Sequence, residues 1–234
     1  MRDVRQFIRH EGGIALLEFA LVMPMIMLML LGGLEVARAI VITQRTEKAG
    51  YVIADVTSQY VPVTSTTISA GQLTTTELTT NVFPLLSRMM GNYADVTKQA
   101  VILTSVRQQS GKKLIKWQVA GGGSLTSGVT SIVNGLGPAA IGPAVANTVA
   151  SFSGDAATQL AGMVDNEDLI VAEVFYSYQP IWTSVINATT VNYSGTESAA
   201  SIASPRILTK RMFFRPRNGD FVCLPTTFVY PTCT

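Results

Sequence analysis

The stretch that decides the fold is GGIALLEFALVMPMIMLMLLGGL, residues 12–34. From Ile14 to Leu34 only Glu18 is charged, and a helix over these residues is about 31 Å long. The hydrocarbon core of a bilayer is about 30 Å thick. The apolar region of a secretory signal is shorter, about 7–15 residues, and ends at a small-residue cleavage site. The sequence therefore predicts a transmembrane helix over residues 14–36.

The flanks of this helix predict its orientation. The preceding residues 1–13 carry Arg2, Arg5 and Arg9, and positive charge favours the cytoplasmic side of a membrane. We therefore expect the N-terminus in the cytoplasm and the rest of the chain outside. A polar face appears opposite an apolar one after the membrane segment, which predicts that the helix continues through residues 37–58.

Glu18 distinguishes a plain anchor from a more specialised helix. A carboxylate near the edge of a membrane helix costs up to about 2.5–3.5 kcal/mol, so it is usually retained for a reason. Apolar helices in lipid have little preference for one register, and a buried carboxylate facing a buried ammonium supplies one. Removing one member of such a pair costs about 3–5 kcal/mol because a lone charge remains.

The junction GGIALLEF, residues 12–19, resembles the processing site of type IV pilin-like proteins. Its continuation FALVMP, residues 19–24, and EVAR, residues 35–38, are similar to the TadE-like family, the minor pseudopilins of the tight-adherence (Tad/Flp) pilus. The resemblance implies that a prepilin peptidase removes the leader 1–13 by cutting after Gly13.

The same resemblance implies roles for three further residues. Ile14 becomes the new N-terminus, and Glu18 and Phe19 are the fifth and sixth residues of the mature chain. In pilins the carboxylate at the fifth position pairs with the free amine of a neighbouring subunit. Glu18 and Phe19 are therefore the expected assembly residues.

A function, location and partners follow from the resemblance as expectations. The protein would be a non-enzymatic minor pseudopilin that primes or supports pilus assembly. It would lie in the bacterial inner membrane with a periplasmic head, and could enter the pilus. Its partners would be the peptidase, other pilins and pseudopilins and the Tad machinery. The alternative is a stably anchored binding or sensory module that keeps its N-terminus.

The sequence pattern over residues 59–234 predicts a globular α+β head with helices on an antiparallel sheet, which is a pilin-like fold. Thr74 and Glu77 have the spacing of a capping box, which predicts that a second helix begins there, and Gly91 is expected to end it. Alternating apolar residues predict strands, with Ile115, Trp117 and Val119 on one face of the second. The predicted strands are 96–107, 114–120, 169–178 and 207–217, with a hairpin turn at 109–112.

Residues 121–165 are rich in Gly, Ala and Ser. They match no phosphate-binding glycine motif, so the favoured interpretation is a flexible insertion with a short helix. Three carboxylates follow, Asp165, Glu167 and Asp168, whose spacing fits a solvated turn better than a calcium loop. An anchored enzyme would have to bring two of Asp165, Asp168 and Glu173 together in a cleft.

The C-terminal region contains a basic strand and two cysteines. Lys210, Arg211, Arg215 and Arg217 are interpreted as protecting an edge strand from aggregation, with a binding patch for an acidic partner as the alternative. Outside the cytoplasm, Cys223 and Cys233 are expected to form a disulfide.

The composition excludes several classes of function. Only 14% of the 234 residues are charged and the net charge is +2, which argues against a nucleic-acid partner. The one histidine, His10, lies in the leader, and there are two cysteines, which disfavours a zinc site, Cys/His catalysis and a Ser/His/Asp triad. We expect no metal, no cofactor, no small-molecule substrate and no catalytic residue.

Overall fold

The computed structural model of the chain describes residues 11–60, 73–141, 148–152, 160, 162–181 and 205–217, without the side chains of residues 11–14 and 148. The chain divides into two compact units, Met1–Val41 and Ile42–Thr234. We call Ala15–Val41 the apolar segment and the second unit the head.

The longest element is helix α1, Glu11–Gln59, with 49 residues. Ala, Leu and Met, which are strong helix formers, dominate its first half. Pro24 lies inside the helix, and membrane helices tolerate an internal proline better than soluble ones do. The prediction of a long N-terminal helix followed by an α+β head is confirmed.

A second helical region follows in the head, and Thr74 starts it. The Thr74 hydroxyl accepts a hydrogen bond from the Glu77 N–H at 3.0 Å, which is one half of the expected capping box. Its elements are helix α2, Thr75–Glu77; a π-helical turn, Leu78–Val82; helix α3, Pro84–Met90; and a 3-10 turn, Gly91–Tyr93.

The prediction of one continuous helix between Thr74 and Gly91 is wrong, and Pro84 explains why. A proline has no N–H to donate and its ring clashes with the carbonyl four residues back. The helical turn just before Pro84 is wider than an α-helical turn, because the Phe83 N–H donates to the Leu78 carbonyl, five residues back, at 2.8 Å.

The head contains one sheet of five antiparallel strands in the order β3-β2-β1-β4-β5. Ser110 and Gly111 join β1 to β2 with φ of 51° and 73°, the positive values that a tight hairpin turn needs. The predicted hairpin is therefore confirmed. The strands are β1, Gln99–Gln109; β2, Lys112–Gly121; β3, Thr148–Val149; β4, Asp168–Tyr178; and β5, Arg206–Phe214.

A β-bulge corrects the predicted faces of β2. Ser105 is opposite Trp117, but the next residue of β1, Val106, is opposite Ile115, so Lys116 is the extra residue. A bulge shifts the alternation of side chains by one position. Ile115 therefore lies on the opposite face from Trp117 instead of sharing it.

Helices cover one face of the sheet, which we call the helix face. A Cβ added to Gly50 of α1 would lie 3.2 Å from the Met212 side chain and 3.5 Å from Val174. The Tyr51 and Phe214 rings meet edge to face, with centroids 6.2 Å apart. The part of α1 that belongs to the head thus packs on β4 and β5.

Residues 124–141, the covering segment, lie over the other face, which we call the loop face. Leu125 and Val129 pack with Ile102 and Phe175 of the sheet. Ile132 and Val133 join a second buried cluster with Val106, Ile115 and Val171. The interpretation of this stretch as a flexible insertion is wrong for residues 124–141, because they complete the hydrophobic core.

Candidate functional site

The apolar segment carries a continuous apolar surface that the chain itself does not cover. Leu16, Leu21 and Met29 expose 59%, 69% and 75% of their surface, and the most apolar stretch of this helix has no buried residue. Within the head, by contrast, α1 buries Ile42 and Ile53 completely. A surface of this kind marks a membrane or protein interaction site.

Among the described residues, this is the one helix long and apolar enough to cross a membrane. A signal sequence near an N-terminus has similar features, but the helical continuation into the head sets this one apart. An apolar segment at the start of a helix that continues into a folded head is what a single-pass membrane anchor requires.

Glu18 is the one ionisable residue between Ala15 and Leu34. Its side chain and that of Phe19 are exposed on α1, so neither is used to build the fold. Residues four apart on a helix share a face. Glu18 therefore lies on the same side of the helix as Ile14, about 6 Å along the axis.

The predicted processing bond, between Gly13 and Ile14, lies in the first described turn of α1. Cleavage at this bond would require the turn to unwind, because a peptidase binds its substrate backbone in an extended form. A glycine inside a helix costs about 1 kcal/mol relative to alanine. Gly12 and Gly13 therefore make this turn easier to open than the helix that follows.

The basic residues of the last strand, and those just beyond it, attach the edge of the sheet to the rest of the head. Their partners lie on α1, on β4 and in the turn before β4, so three parts of the head hold this edge. Whether these charges also protect the edge from aggregation stays a prediction. The pairs are Lys210 with Glu47 at 2.9 Å, Arg211 with Glu173 at 3.3 Å, Arg215 with Glu167 at 2.6 Å, and Arg217 with Asp55.

Exposed ion pairs of this kind contribute little stability individually. The Lys210 and Glu47 side chains are 31% and 43% exposed, and such pairs typically contribute below about 1 kcal/mol. We expect a double-mutant cycle of Lys210→Ala and Glu47→Ala to give a coupling energy below about 1 kcal/mol. The measurement is thermal unfolding of the purified protein in detergent. A coupling of several kcal/mol would contradict this expectation.

The carboxylates considered for an enzyme do not converge. Asp168 and Glu173 are five residues apart on β4, and strand alternation puts them on opposite faces of the sheet. Asp165 accepts a hydrogen bond from the Gly111 N–H at 3.1 Å, and Glu167 accepts one from the Val164 N–H at 2.9 Å. Within the described ranges, no three His, Cys, Asp or Glu side chains could jointly hold a metal ion.

Asp168 is buried, unlike a residue of a solvated turn. Arg107 lies opposite it on β1, with 3.6 Å between Nη1 and the carboxylate. Lys116, the bulge residue, belongs to the same environment. Burial lowers the pKa of its amine, Arg107 lowers it further, and Asp168 acts in the opposite direction. Asp168 therefore lies near two basic side chains, Arg107 and Lys116, inside the head.

The sequence did not predict a buried polar network that lies on the loop face around Glu173. The Glu173 carboxylate accepts hydrogen bonds from the Ser131 hydroxyl at 2.6 Å and from the Ile132 N–H at 2.9 Å. Gln118 donates to Ser131 at 3.0 Å and to Thr104 at 2.9 Å. The sequence feature that could have predicted this network is Glu173 itself, a charged residue inside an otherwise apolar strand.

Cys223 and Cys233 lie outside the described residues, so their predicted disulfide stays a prediction.

Residues 13–55 match the family described as TadE-like protein. No curated protein sequence matches the chain, and no solved structure does. The family match covers the apolar segment and most of the part of α1 that lies in the head. The chain therefore carries a TadE-like segment over residues 13–55, which confirms the resemblance seen in its N-terminal sequence and associates it with the Tad pilus.

Proposed function

We propose that this protein is a minor pseudopilin that primes or supports assembly of a Tad/Flp-type pilus. The observation that carries the proposal is the exposed apolar stretch Ala15–Leu34, whose one carboxylate is Glu18, within residues that match the TadE-like family. The exposed surface supports membrane insertion before assembly and helix packing after it. Glu18 supports a specific register in that packing.

Maturation by a prepilin peptidase is the chemical step of the proposal. Cleavage between Gly13 and Ile14 creates a free amine at Ile14, one helical turn before Glu18. The amine of one subunit then pairs with the Glu18 carboxylate of its neighbour, while Phe19 packs beside it. The three arginines of the leader favour an N-terminus on the cytoplasmic face of the inner membrane, with the head in the periplasm.

The mature N-terminus tests this proposal most directly. We expect mass spectrometry of protein from cells with an active prepilin peptidase to find Ile14 as the first residue. Cells without the peptidase should contain the chain with residues 1–13 still attached. An intact leader in both strains would support the alternative, a stably anchored module, and would contradict the pseudopilin.

Two matched variants locate the cleavage. Gly13→Ala and Gly12→Ala raise the helix propensity of the same turn by similar amounts, about 1 kcal/mol. Only Gly13→Ala adds a side chain directly before the bond to be cut. We expect the unprocessed form to accumulate in Gly13→Ala and the Gly12→Ala protein to be processed. Full processing of Gly13→Ala would exclude the assigned site.

A further inference from the structure

Helix α1 enters the head at Ile42, which is completely buried. Three residues later the Arg45 guanidinium donates to the Met90 carbonyl at 2.6 Å, and its Cζ atom lies 5.2 Å from the centroid of the Tyr93 ring. The Tyr93 carbonyl in turn accepts a hydrogen bond from the Tyr176 hydroxyl at 3.0 Å. The helix therefore enters the head at the same end as the last residues of β4.

Two neighbouring chain segments form this end of the head, which we call the entry end. Gln99, the first residue of β1, is opposite Tyr176 of β4. The two segments stay side by side beyond this pair, because the Ser177 N–H donates to the Lys98 carbonyl at 2.7 Å. The entry end comprises residues 93–98, residues 177–181 and Arg206, which is opposite Tyr178.

Two large apolar side chains of the entry end are exposed. Val96 exposes 60% of its surface and Ile181 exposes 41%. The backbone of Val96 is held in place, since its carbonyl accepts the Ser124 N–H at 2.7 Å. Exposed apolar side chains that lie together and have polar neighbours mark a protein or membrane interaction site.

Basic side chains accompany these apolar ones. Arg206 is exposed at the start of β5, and Lys98 pairs with Asp95 at 3.0 Å. Anionic lipid headgroups attract basic side chains, and apolar side chains beside them enter the boundary between headgroups and acyl chains. The entry end therefore combines the two kinds of side chain that a lipid surface binds.

The membrane-spanning part of the chain ends close to this surface. Ile42 follows Leu34 by eight residues, which span about 12 Å in a helix. The apolar surface of α1 continues through this interval, where Val36 and Ile40 are exposed. The headgroup layer on one side of a bilayer is about 5–7 Å thick. Chain connectivity therefore keeps the entry end near the headgroups, whereas the hairpin end is about 35 Å farther along the 11 residues of β1.

We propose that the entry end of the head rests on the lipid headgroups of the membrane that anchors α1. Val96 and Ile181 lie at the headgroup boundary, and Arg206 lies beside lipid phosphates. The hairpin end also exposes valines, Val149 and Val164, so exposure alone does not select the entry end, but its continuity with the membrane anchor does. Such a contact restricts the tilt of the head on the membrane. It requires the anchor but not a role in a pilus.

Tryptophan fluorescence of the full chain in vesicles tests this contact. Val96→Trp and Val164→Trp place an indole at two similarly exposed valines, 60% and 66%, at opposite ends of the head. Both are made in a chain with Trp182→Phe, in which the buried Trp117 is the one native indole. The vesicles contain phosphatidylethanolamine and phosphatidylglycerol, and a fraction of the headgroups carries a nitroxide, which quenches nearby indoles.

We expect the nitroxide to remove most of the emission added by Val96→Trp and little of that added by Val164→Trp. Equal quenching at the two ends would overturn the proposal. An emission of Val96→Trp that shifts with the protein-to-lipid ratio without quenching would identify a second copy of the chain as the partner, and would also overturn it.

A second pair of variants tests the apolar character of the contact. Adding Ile181→Asp to Val96→Trp puts a carboxylate beside the headgroups, so most of the quenched emission should return. Adding Val164→Asp to Val96→Trp should leave the quenching unchanged. Circular dichroism checks that each variant is folded, and Ile181→Trp replaces Val96→Trp in the comparison of the two ends if Val96→Trp does not fold. Unchanged quenching with folded Ile181→Asp would contradict a contact through these apolar side chains.

Discussion

Replacing Glu18 by alanine is expected to reduce pilus assembly to background while leaving membrane insertion intact or improved. The two effects have opposite signs because insertion and assembly use the carboxylate differently. Insertion of a carboxylate near the end of a membrane helix costs up to about 2.5–3.5 kcal/mol, which alanine avoids. Assembly loses the partner of a buried amine, at about 3–5 kcal/mol. That loss lowers the association constant between neighbouring subunits by about 100-fold to several thousand-fold.

The experiment compares Glu18→Ala, Glu18→Gln and Glu18→Asp in cells that lack the original copy. Membrane fractions measure insertion and electron microscopy counts pili. Gln keeps the shape of the side chain without the charge, so Glu18→Gln should reduce the number of pili as strongly as Glu18→Ala. Asp keeps the charge, so Glu18→Asp should retain part of the piliation. Normal piliation with Glu18→Ala would contradict the assembly role. If none of the variants reached the membrane, Glu18 would be required for insertion itself, which would contradict the expected separation of insertion from assembly.

Gly123→Ala is expected to destabilise the head by at least about 3 kcal/mol, the range of severe backbone clashes. A Cβ at Gly123 would lie 2.0 Å from the Gln99 carbonyl oxygen and 2.7 Å from the Val96 oxygen. Both are backbone atoms and cannot rotate away. The same two oxygens accept the N–H groups of the next two residues, Ser124 at 2.7 Å and Leu125 at 3.3 Å. The substitution therefore separates the start of the covering segment from β1.

Gly162→Ala is the matched control, since a Cβ there would meet nothing within 4 Å. For a domain of about 150–250 residues, 3 kcal/mol lowers the Tm by about 6–12 °C. We expect a shift of this size for Gly123→Ala and almost none for Gly162→Ala, measured by circular dichroism in detergent. Equal Tm values for the two variants would show that the backbone does not approach Gly123 so closely.

Local patterns in the sequence predicted the long helix, the hairpin at Ser110 and Gly111, and the start of the helical region at Thr74. Each depends on residues that are neighbours along the chain, so their chemistry is visible before folding. Pro84 was visible too, and its missing N–H could have predicted the break between α2 and α3.

Other features depend on residues that are distant in sequence. The partners of Glu173 come from β5 and the covering segment, and no local pattern identifies Arg211 or Ser131. The bulge at Lys116 depends on the registry between β1 and β2, so the faces of β2 could not be read from alternation alone. The glycines at 121–123 suggested flexibility, whereas Gly123 serves a close backbone contact.

The order of the strands has a consequence for how the head folds. The central strand β1 pairs on one side with β2, which follows it directly in the sequence. On its other side it pairs with the distant strand β4, where Val101 is opposite Val174. Such distant pairing is slow. Between Lys116 and Asp155 there is no charged residue to discourage contact with other chains. During synthesis the incomplete head is therefore prone to aggregation until β4 has been made and has paired with β1.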